Sequence, residues 1–348
     1  MEVVNYKCPN CMAPLGFDID AQKWVCEYCA SAFTPGELDL FDSKSETAKE
    51  QWSPEEFADT ETVTFTCPSC SGSVIAEKNT AATFCAFCHA PTILSGRVSG
   101  EYRPAKLIPF KLKKDEVLVS MQKLCKNKIL LPKDFRQALN AGEITGLYVP
   151  FWLYSADVGA QFNASGKIIK TWSDANYNYR KTDVYRVERD LDIPLRLVPV
   201  DASKRMDNSL MDALEPFDYK QLIDFSMEYL SGHFAESYDV DSKEAYPRFE
   251  ERGKKAADTA VGESTKQYTS LENRQMKTDF KRHTNMYVML PVWSLMTKYK
   301  GKTYYLAMNA QSGKSAGKLP LSGARAMAFF ASISAIATII TFVGRMFF

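Results

Sequence analysis

The chain has 348 residues, of which 45% are apolar and 24% are charged, and its formal net charge is +1. This is the composition of a globular protein, so it excludes a chain that is disordered throughout and allows two or three domains. The charge is unevenly distributed, because residues 1–100 hold six Lys or Arg and fourteen Asp or Glu. The net charge of residues 1–100 is therefore −8, and that of the remaining residues is +9.

Eight of the nine cysteines form two identical patterns near the N-terminus. Both read C-x2-C-x14-C-x2-C, and the second begins 59 residues after the first. The first set is Cys8, Cys11, Cys26 and Cys29, and the second set is Cys67, Cys70, Cys85 and Cys88. Two closely spaced pairs of thiolates are typical of a structural zinc site, because one tight turn presents both sulfurs of a pair. We therefore predict two zinc ions, each bound by four cysteines.

Other uses of paired cysteines fit this pattern less well. A thioredoxin-type dithiol needs one pair at the start of a helix, and the usual iron–sulfur spacings differ from this one. Four cysteines also close the coordination shell, whereas a catalytic zinc keeps one position open. The first residues lack the features of a secretory signal, so we expect a reducing compartment, in which paired cysteines bind metal.

The cysteine patterns define the predicted N-terminal domains. We predict a zinc ribbon over residues 1–36, a polar linker over residues 37–63 and a second ribbon over residues 64–96, each ribbon folding by itself as a small β structure. His89 follows the last cysteine, and we expect it outside the metal site, since the cysteine set is complete without it. The nearby aromatic residues are Tyr6, Trp24, Tyr28, Phe33, Phe65, Phe84 and Phe87. We expect them to pack around the metal and not to stack on bases, because so small a domain has little other core.

Zinc ribbons bind nucleic acids or proteins, or serve folding alone, and charge is the best criterion that the sequence offers. A phosphate-binding surface needs Lys and Arg, but residues 1–100 carry −8, and each zinc tetrathiolate adds about two negative charges. Contact with other proteins is therefore the favoured prediction for the ribbons. Nucleic-acid binding is the less favoured one.

Residues 101–318 predict an α+β domain with an antiparallel sheet. Apolar spacing predicts an amphipathic helix over residues 114–130, and a second short helix follows over residues 132–142. Alternating aromatic and β-branched residues predict antiparallel strands over residues 146–200, with turns at residues 165–166 and 174–178. A long charged helix after residue 241 and a hairpin with its turn at residues 300–301 complete the predicted domain.

An uncharged segment lies near the C-terminus. Residues 326–343 contain no Asp, Glu, Lys, Arg, Asn or Gln, and as a helix they measure about 27 Å, enough to cross the hydrocarbon core. We predict a transmembrane helix over residues 325–345 that acts as a tail anchor; a buried helix is the alternative. Three basic residues precede this segment, Lys314, Lys318 and Arg325, and one follows it, Arg345. By the positive-inside rule, this distribution places the bulk of the chain in the cytoplasm. We expect the two lysines to lie near anionic headgroups.

No catalytic constellation can be recognised in the sequence. The three histidines, at positions 89, 233 and 283, are isolated from any nucleophile, and Cys125 lies on the apolar face of a predicted helix. Residues 309–318 resemble a phosphate-binding loop but have Met308 where that motif needs glycine. We therefore predict a protein that is not an enzyme and identify no small-molecule substrate. An active site within the α+β domain is the open alternative.

The order of these features resembles a known family, the bacterial membrane-anchored proteins with zinc ribbons of the TFIIB type. The similarity lies in the two ribbons, in the hydrophobic C-terminal segment and in the segments GLYVPFWLYSADV, VPVDASKRMDNSLMDALEPFDY, YLSGHFAESYDVD and LPVWSLMTKYKGKTYYLAMNAQSGK. Members are sometimes labelled helicase-like or phage-replication proteins, but this sequence has no helicase motif. Similar proteins are encoded near phage-shock-type and flotillin-like envelope-stress proteins, which implies a role in a membrane complex. Many members have one ribbon, so the doubled ribbon is a departure.

These observations predict a membrane-anchored adaptor or scaffold that binds partner proteins at the cytoplasmic face. The resemblance implies flotillin-like or phage-shock-type partners and a part in envelope stress. The alternative is a membrane-tethered nucleic-acid-binding protein of replication or transcription, in which the portion that carries +9 supplies the phosphate contacts.

Overall fold

A computed structural model describes residues 3–4, 6–34, 37, 62–126, 128–132, 134–135, 139 and 144–347. The linker predicted over residues 37–63 lies almost wholly outside these residues, as does most of the short helix predicted over residues 132–142. The chain divides into two compact units. Unit 1 comprises Met1–Val149, Arg205–Ser237 and Met289–Phe348, and unit 2 comprises Pro150–Lys204 and Tyr238–Val288.

The cysteine-rich region consists of short strands. They are β1 (Val3–Val4), β2 (Gly16–Asp18), β3 (Lys23–Val25), β4 (Ala32–Phe33), β5 (Thr62–Thr66), β6 (Ser73–Glu77), β7 (Thr80–Phe84) and β8 (Pro91–Leu94). Strands β2, β3 and β4 form an antiparallel sheet in the first ribbon, and β5 and β6 form a separate hairpin in the second. Two short 3-10 helices follow, at Ser95–Arg97 and Gly100–Tyr102.

The rest of the chain alternates long strands with helices. In chain order the elements are β9 (Lys106–Leu107), α1 (Lys114–Lys126), β10 (Ile144–Ser173), β11 (Asn178–Asp201), α2 (Asn208–Ala213), β12 (Ile223–Asp224), β13 (Phe234–Glu236), α3 (Ser242–Ser264), β14 (Ser270–Tyr299), β15 (Lys302–Asn309), β16 (Ser315–Gly317) and α4 (Gly323–Phe347). Two further 3-10 helices lie at Tyr219–Gln221 and Met227–Leu230.

The predicted α+β class is confirmed, but the largest sheet is mixed. Its strand order is β1-β8-β7-β13-β10-β14-β15-β16. Strands β7 and β8 pair antiparallel, as do β14 and β15, whereas β13 runs parallel to β10. A parallel pair needs a crossover connection of a dozen or more residues, and the segment with β11, α2 and β12 supplies it. The predicted antiparallel pairing therefore holds for most of the sheet, and the β10–β13 pair departs from it.

The first ribbon packs against the rest of unit 1 through a fully buried tryptophan. The ring centroids of Trp24 and Tyr229 lie 5.0 Å apart, and the Trp24 indole N–H donates to the Glu228 carbonyl at 3.3 Å. Phe17 contacts both rings edge to face. The Ser231 hydroxyl donates to the Leu15 carbonyl at 3.3 Å. One face of this ribbon is thus part of a larger core.

The second ribbon joins unit 1 through its backbone. Ala82 of β7 pairs with Ala235 of β13 in the large sheet. Arg205 forms ion pairs with Glu77 at 2.6 Å and with Glu236 at 2.9 Å. Ribbons predicted as separate small domains thus bury surface against the rest of the unit, because so few residues provide little core of their own. Whether each ribbon also folds alone stays a prediction, as do the predicted domain boundaries.

Unit 2 is built on the β10–β11 hairpin and helix α3. The two strands pair from Phe151 opposite Asp201 to Ser173 opposite Asn178. The turn predicted at residues 174–178 is confirmed, but the turn predicted at residues 165–166 was wrong, because β10 continues through it. Gly166 is needed there for close packing: an added Cβ would lie 2.6 Å from the Tyr268 ring.

Other predicted elements are confirmed. The amphipathic helix is α1, which ends at Lys126 and buries Val117, Met121 and Cys125. The long charged helix is α3, whose N-terminus is capped by Asp241. The hairpin turn at residues 300–301 joins β14 to β15, and both turn residues have positive φ, as a tight hairpin requires.

Two glycines of α3 provide a test of the packing in unit 2. Gly253 is buried, and an added Cβ would lie 2.4 Å from the Phe280 ring, so Gly253→Ala should lower the free energy of unfolding by about 1–2 kcal/mol. Gly262 is exposed with no atom within 4 Å, so Gly262→Ala should raise it by about 0.5–1 kcal/mol. Denaturant unfolding of the two variants checks this. Stabilisation by both substitutions would contradict the packing of α3.

Candidate metal centre

Four tight turns of the same geometry present the eight cysteines. In each turn, the carbonyl of the first cysteine accepts from the N–H four residues on, and its own N–H donates to the carbonyl five residues on, at 2.7–3.0 Å. The fourth residue after that cysteine has a left-handed conformation in every turn, with φ of 57–63°. These residues are Met12, Ala30, Ser71 and His89. The left-handed residue reverses the chain, so both sulfurs of a pair face one point.

The sulfur atoms lie at the spacing that a tetrahedral metal ion requires. The paired Sγ distances are 3.5 Å for Cys8–Cys29, 3.4 Å for Cys11–Cys26, 3.8 Å for Cys67–Cys88 and 3.7 Å for Cys70–Cys85. Within each cluster all four ligand atoms lie within 4.8 Å of one another. Thiolates about 2.3 Å from a central zinc would have tetrahedral edges of about 3.8 Å. Each cluster is therefore able to hold a metal ion of this kind.

Burial alternates in the same way in both clusters. The first cysteine of each pair is buried, and the second is exposed. Each cluster thus faces the ribbon interior on one side and solvent on the other. A bound ion would link the two turns of a ribbon while remaining close to its surface.

One thiol in each cluster is set to ionise first. The hydroxyl of Ser31, 3.2 Å away, and the Ser31 N–H lower the pKa of Cys29 to about 6. The N–H groups of Cys88 and Phe87 lower the pKa of Cys85 to about 7. Because metals bind the thiolate form, both clusters offer an anionic ligand near neutral pH.

The aromatic residues near the clusters divide into two groups. Five follow the prediction that they pack inside the ribbons: Tyr6, Trp24 and Phe65 are buried, and Phe33 and Phe84 are half-buried. Tyr28 and Phe87 are not buried, since they are 88% and 67% exposed, although the Phe87 ring lies beside Gly72 in the other turn of its cluster. These two residues hold equivalent positions, each directly before the fourth cysteine of its ribbon. His89 is exposed and outside both clusters, as predicted.

The other residues considered as catalytic candidates lie apart from the clusters. His233 stacks on Phe110 with a centroid distance of 4.0 Å, and burial lowers its pKa to about 4, so its imidazole is neutral at physiological pH. His283 lies beside Tyr246, with centroids 5.3 Å apart. Cys125 is buried on α1. Within the described parts of the chain, the two cysteine clusters are the groups with metal-ligand spacing.

Helix α4 is a candidate membrane span. Residues Gly323–Phe342 are long and apolar enough to cross a bilayer, with a mean hydropathy of 1.7, and none of their side chains is buried. A core helix of a soluble protein would bury one face, so this exposure favours the transmembrane prediction. The first turn of α4 is hydrogen-bonded to the rest of unit 1. The N–H of Ser322 donates to the Leu130 carbonyl at 2.9 Å, and the Arg325 guanidinium donates to the carbonyls of Ile129 and Leu131.

A search among known proteins finds a relative that covers nearly the whole chain. It is the Uncharacterized protein YdjG of Bacillus subtilis strain 168, which is 34% identical over 332 residues, or 95% of this chain and 94% of the relative. The chain belongs to the YdjG family. No protein-family model and no solved structure matches it. Because the match covers 95% of the chain, the family relationship extends beyond the ribbons alone.

The two clusters of this YdjG-family chain predict a defined metal content. Protein purified without chelator should contain two zinc ions per chain by elemental analysis, one for each cluster. Replacing Cys67 and Cys85 together by Ser should reduce the count to one, because the clusters share no ligand. The matched control Cys125→Ala should leave it at two. A count near zero in the unchanged protein would overturn the metal assignment.

Proposed function

We propose that this protein is a membrane-anchored adaptor that binds other proteins through its zinc ribbons and has no catalytic activity. The clusters support a structural metal, because four thiolates leave no open coordination position. Helix α4 supports the anchor. The observation that carries the adaptor role is the exposed aromatic side chain at the same position of both ribbons.

Tyr28 and Phe87 are suited to contact a partner. Neither is needed for the ribbon core, which Trp24 and Phe65 already fill. The Phe87 ring is held against its neighbouring turn, since a Cβ added at Gly72 would lie 2.7 Å from it. Aromatic side chains, Tyr and Phe among them, are enriched at protein interfaces relative to the rest of a protein surface. Their repetition gives the chain two copies of one contact surface.

The local charge of the ribbons disfavours the nucleic-acid alternative. Residues 6–34 contain two basic residues, Lys7 and Lys23, and residues 62–99 contain two more, Lys78 and Arg97. The acidic excess lies mainly in residues 35–61, with nine Asp or Glu and two Lys, and not in the ribbons themselves. One or two cations at each ribbon are few for a phosphate-binding surface, and a zinc tetrathiolate would offset them.

A second exposed aromatic surface lies in unit 2, at the β10–β11 turn. Trp172 stacks on Tyr179 with centroids 5.4 Å apart, and Tyr177 lies 6.3 Å from Tyr179. All three rings are at least 40% exposed. Asp174 holds the turn, because its carboxylate accepts from the N–H groups of residues 176 and 177 and from the Tyr179 hydroxyl. A preformed aromatic tip of this kind suits a scaffold with more than one partner.

Zinc is the metal that we propose for both clusters, because thiolate-only tetrahedral sites favour it over harder cations. The basic residues before α4 support a cytoplasmic location for the folded units. Flotillin-like or phage-shock-type membrane proteins, and a part in envelope stress, are the partners and role that the family resemblance in the sequence implies.

Crosslinking in intact cells tests the adaptor role. Tyr28→Ala combined with Phe87→Ala should reduce the yield of crosslinked partner proteins by about tenfold or more, because each ring is expected to contribute at least about 1 kcal/mol. Ile75→Ala, at a residue of the second ribbon that is 70% exposed, is the matched control and should leave the yield unchanged. Zinc content should be the same in all three proteins. Unchanged partners in the double variant would contradict the proposed contact surface, and recovery of nucleic acid alone would favour the alternative.

Fractionation of cells tests the anchor. Deletion of residues 326–348 should move the protein from the membrane fraction to the soluble fraction, because α4 supplies the apolar length that spans a bilayer. Replacing residues 326–343 by an alternating Leu and Ala segment of equal length should keep it in the membrane. If the truncated chain still sediments with membranes after an alkaline wash, α4 is not the anchor.

A further inference from the structure

The start of α4 is hydrogen-bonded to one particular segment of the rest of unit 1. Ser322 and Arg325 bind the backbone carbonyls of residues 129–131, and α4 begins at Gly323. These bonds are made to main-chain atoms, so they place the segment itself beside the first helical turn. Wherever α4 enters a bilayer, residues 129–131 must therefore lie close to the membrane surface.

Two large aliphatic side chains are exposed at this place. Ile129 is 68% exposed, and Leu321, two residues before α4, is 77% exposed. Exposed aliphatic residues at a membrane surface are stabilised when they enter the boundary between headgroups and acyl chains. Contact with the membrane surface at the start of α4 would explain why these two apolar side chains are exposed.

Basic residues surround the same place. Residues 289–348 contain seven Lys or Arg and no Asp or Glu. The β14–β15 turn lies beside the segment, because Asp134 accepts from the Tyr299 hydroxyl at 2.7 Å and lies 3.8 Å from the Lys300 amine. Lys128, Lys298, Lys300 and Lys302 are all exposed.

The lysines that sequence reasoning placed near headgroups have hydrogen-bond or ion-pair partners in the fold, and both side chains are exposed. Lys318 forms an ion pair with Asp207 at 2.9 Å, and the Lys314 amine donates to the Glu215 carbonyl. Further positive charge beside the start of α4 comes from Lys128 and from the β14–β15 turn, where the Asp134 carboxylate, 3.8 Å from the Lys300 amine, offsets part of it.

We propose that this juxtamembrane surface, formed by Lys128, Ile129, Lys298, Lys300, Lys302 and Leu321, binds the anionic phospholipid headgroups of the membrane that α4 enters. The inference rests on the proposed anchor function of α4. Each lysine near an anionic leaflet strengthens association about fivefold. The four lysines would hold this side of unit 1 against the headgroups, with the two aliphatic side chains in the boundary layer.

Hydrogen exchange of the full chain in vesicles tests the proposal. The protein is reconstituted into vesicles of phosphatidylcholine and into vesicles that also contain phosphatidylglycerol. Exchange of backbone amides in residues 128–131 and 296–305 should be at least about fivefold slower in the anionic vesicles. Replacing Lys298, Lys300 and Lys302 together by Gln should reduce this difference to less than about twofold. The matched control replaces Lys254, Lys255 and Lys266, three exposed lysines of unit 2, by Gln and should retain the difference.

The outcomes separate this proposal from the anchor itself. If α4 is protected in both vesicle types but residues 128–131 and 296–305 exchange equally in both, the anchor stands and the anionic-lipid surface is wrong. If α4 is unprotected and an alkaline wash removes the protein, both proposals fail. If a DNA oligonucleotide added to neutral vesicles slows the same amides to the same extent, the surface binds nucleic acid and the lipid assignment is overturned.

Discussion

Both ribbons depend on a chain reversal that a left-handed residue makes after each cysteine pair. An L-residue other than glycine pays a steric penalty in this conformation, yet Met12, Ala30, Ser71 and His89 all adopt it. Two backbone hydrogen bonds per turn offset that penalty and bring the two sulfurs of a pair together. A bound ion would add its own binding free energy to the same turns, so metal binding and ribbon folding are coupled. Tyr28 and Phe87 hold the same position in these turns, directly before the second cysteine, and both are exposed.

The ribbons also depend on the rest of unit 1. Burial of Trp24 against Tyr229, and pairing of β7 with β13, give each ribbon apolar and backbone contacts that its own residues cannot supply. A ribbon bound in this way presents its solvent-facing turns in a fixed orientation relative to unit 1. For an adaptor, such fixed presentation reduces the entropy lost when a partner binds.

Local chemistry was readable from the sequence, and long-range packing was not. The eight cysteines, the amphipathic α1, the charged α3 and the turn at residues 300–301 follow from spacing, capping and turn chemistry, which involve residues close in sequence. The sequence predicted a turn at Gly166, but this glycine is needed for close packing against Tyr268, about a hundred residues away. In the sequence alone, a glycine required by packing cannot be distinguished from one required by a turn. The parallel pairing of β13 and the exposure of Phe87 likewise depend on neighbours that pattern alone does not identify. The net charge of −8 in residues 1–100 was assigned to the ribbons, although residues 35–61 account for most of it.

The hydrogen bonds at the start of α4 affect how an adaptor of this kind would be oriented at a membrane. A span joined to a folded unit by a flexible linker leaves the orientation of that unit free, whereas Arg325 and Ser322 bind α4 to main-chain carbonyls of residues 129–131. Three such bonds at a partly exposed site contribute only about 1 kcal/mol each, so they bias the orientation of unit 1 and do not fix it alone. A lipid-binding surface at the same place would add to that bias without any change in fold. Because both ribbons belong to unit 1, whatever orients this unit at a membrane would also set the direction in which Tyr28 and Phe87 face.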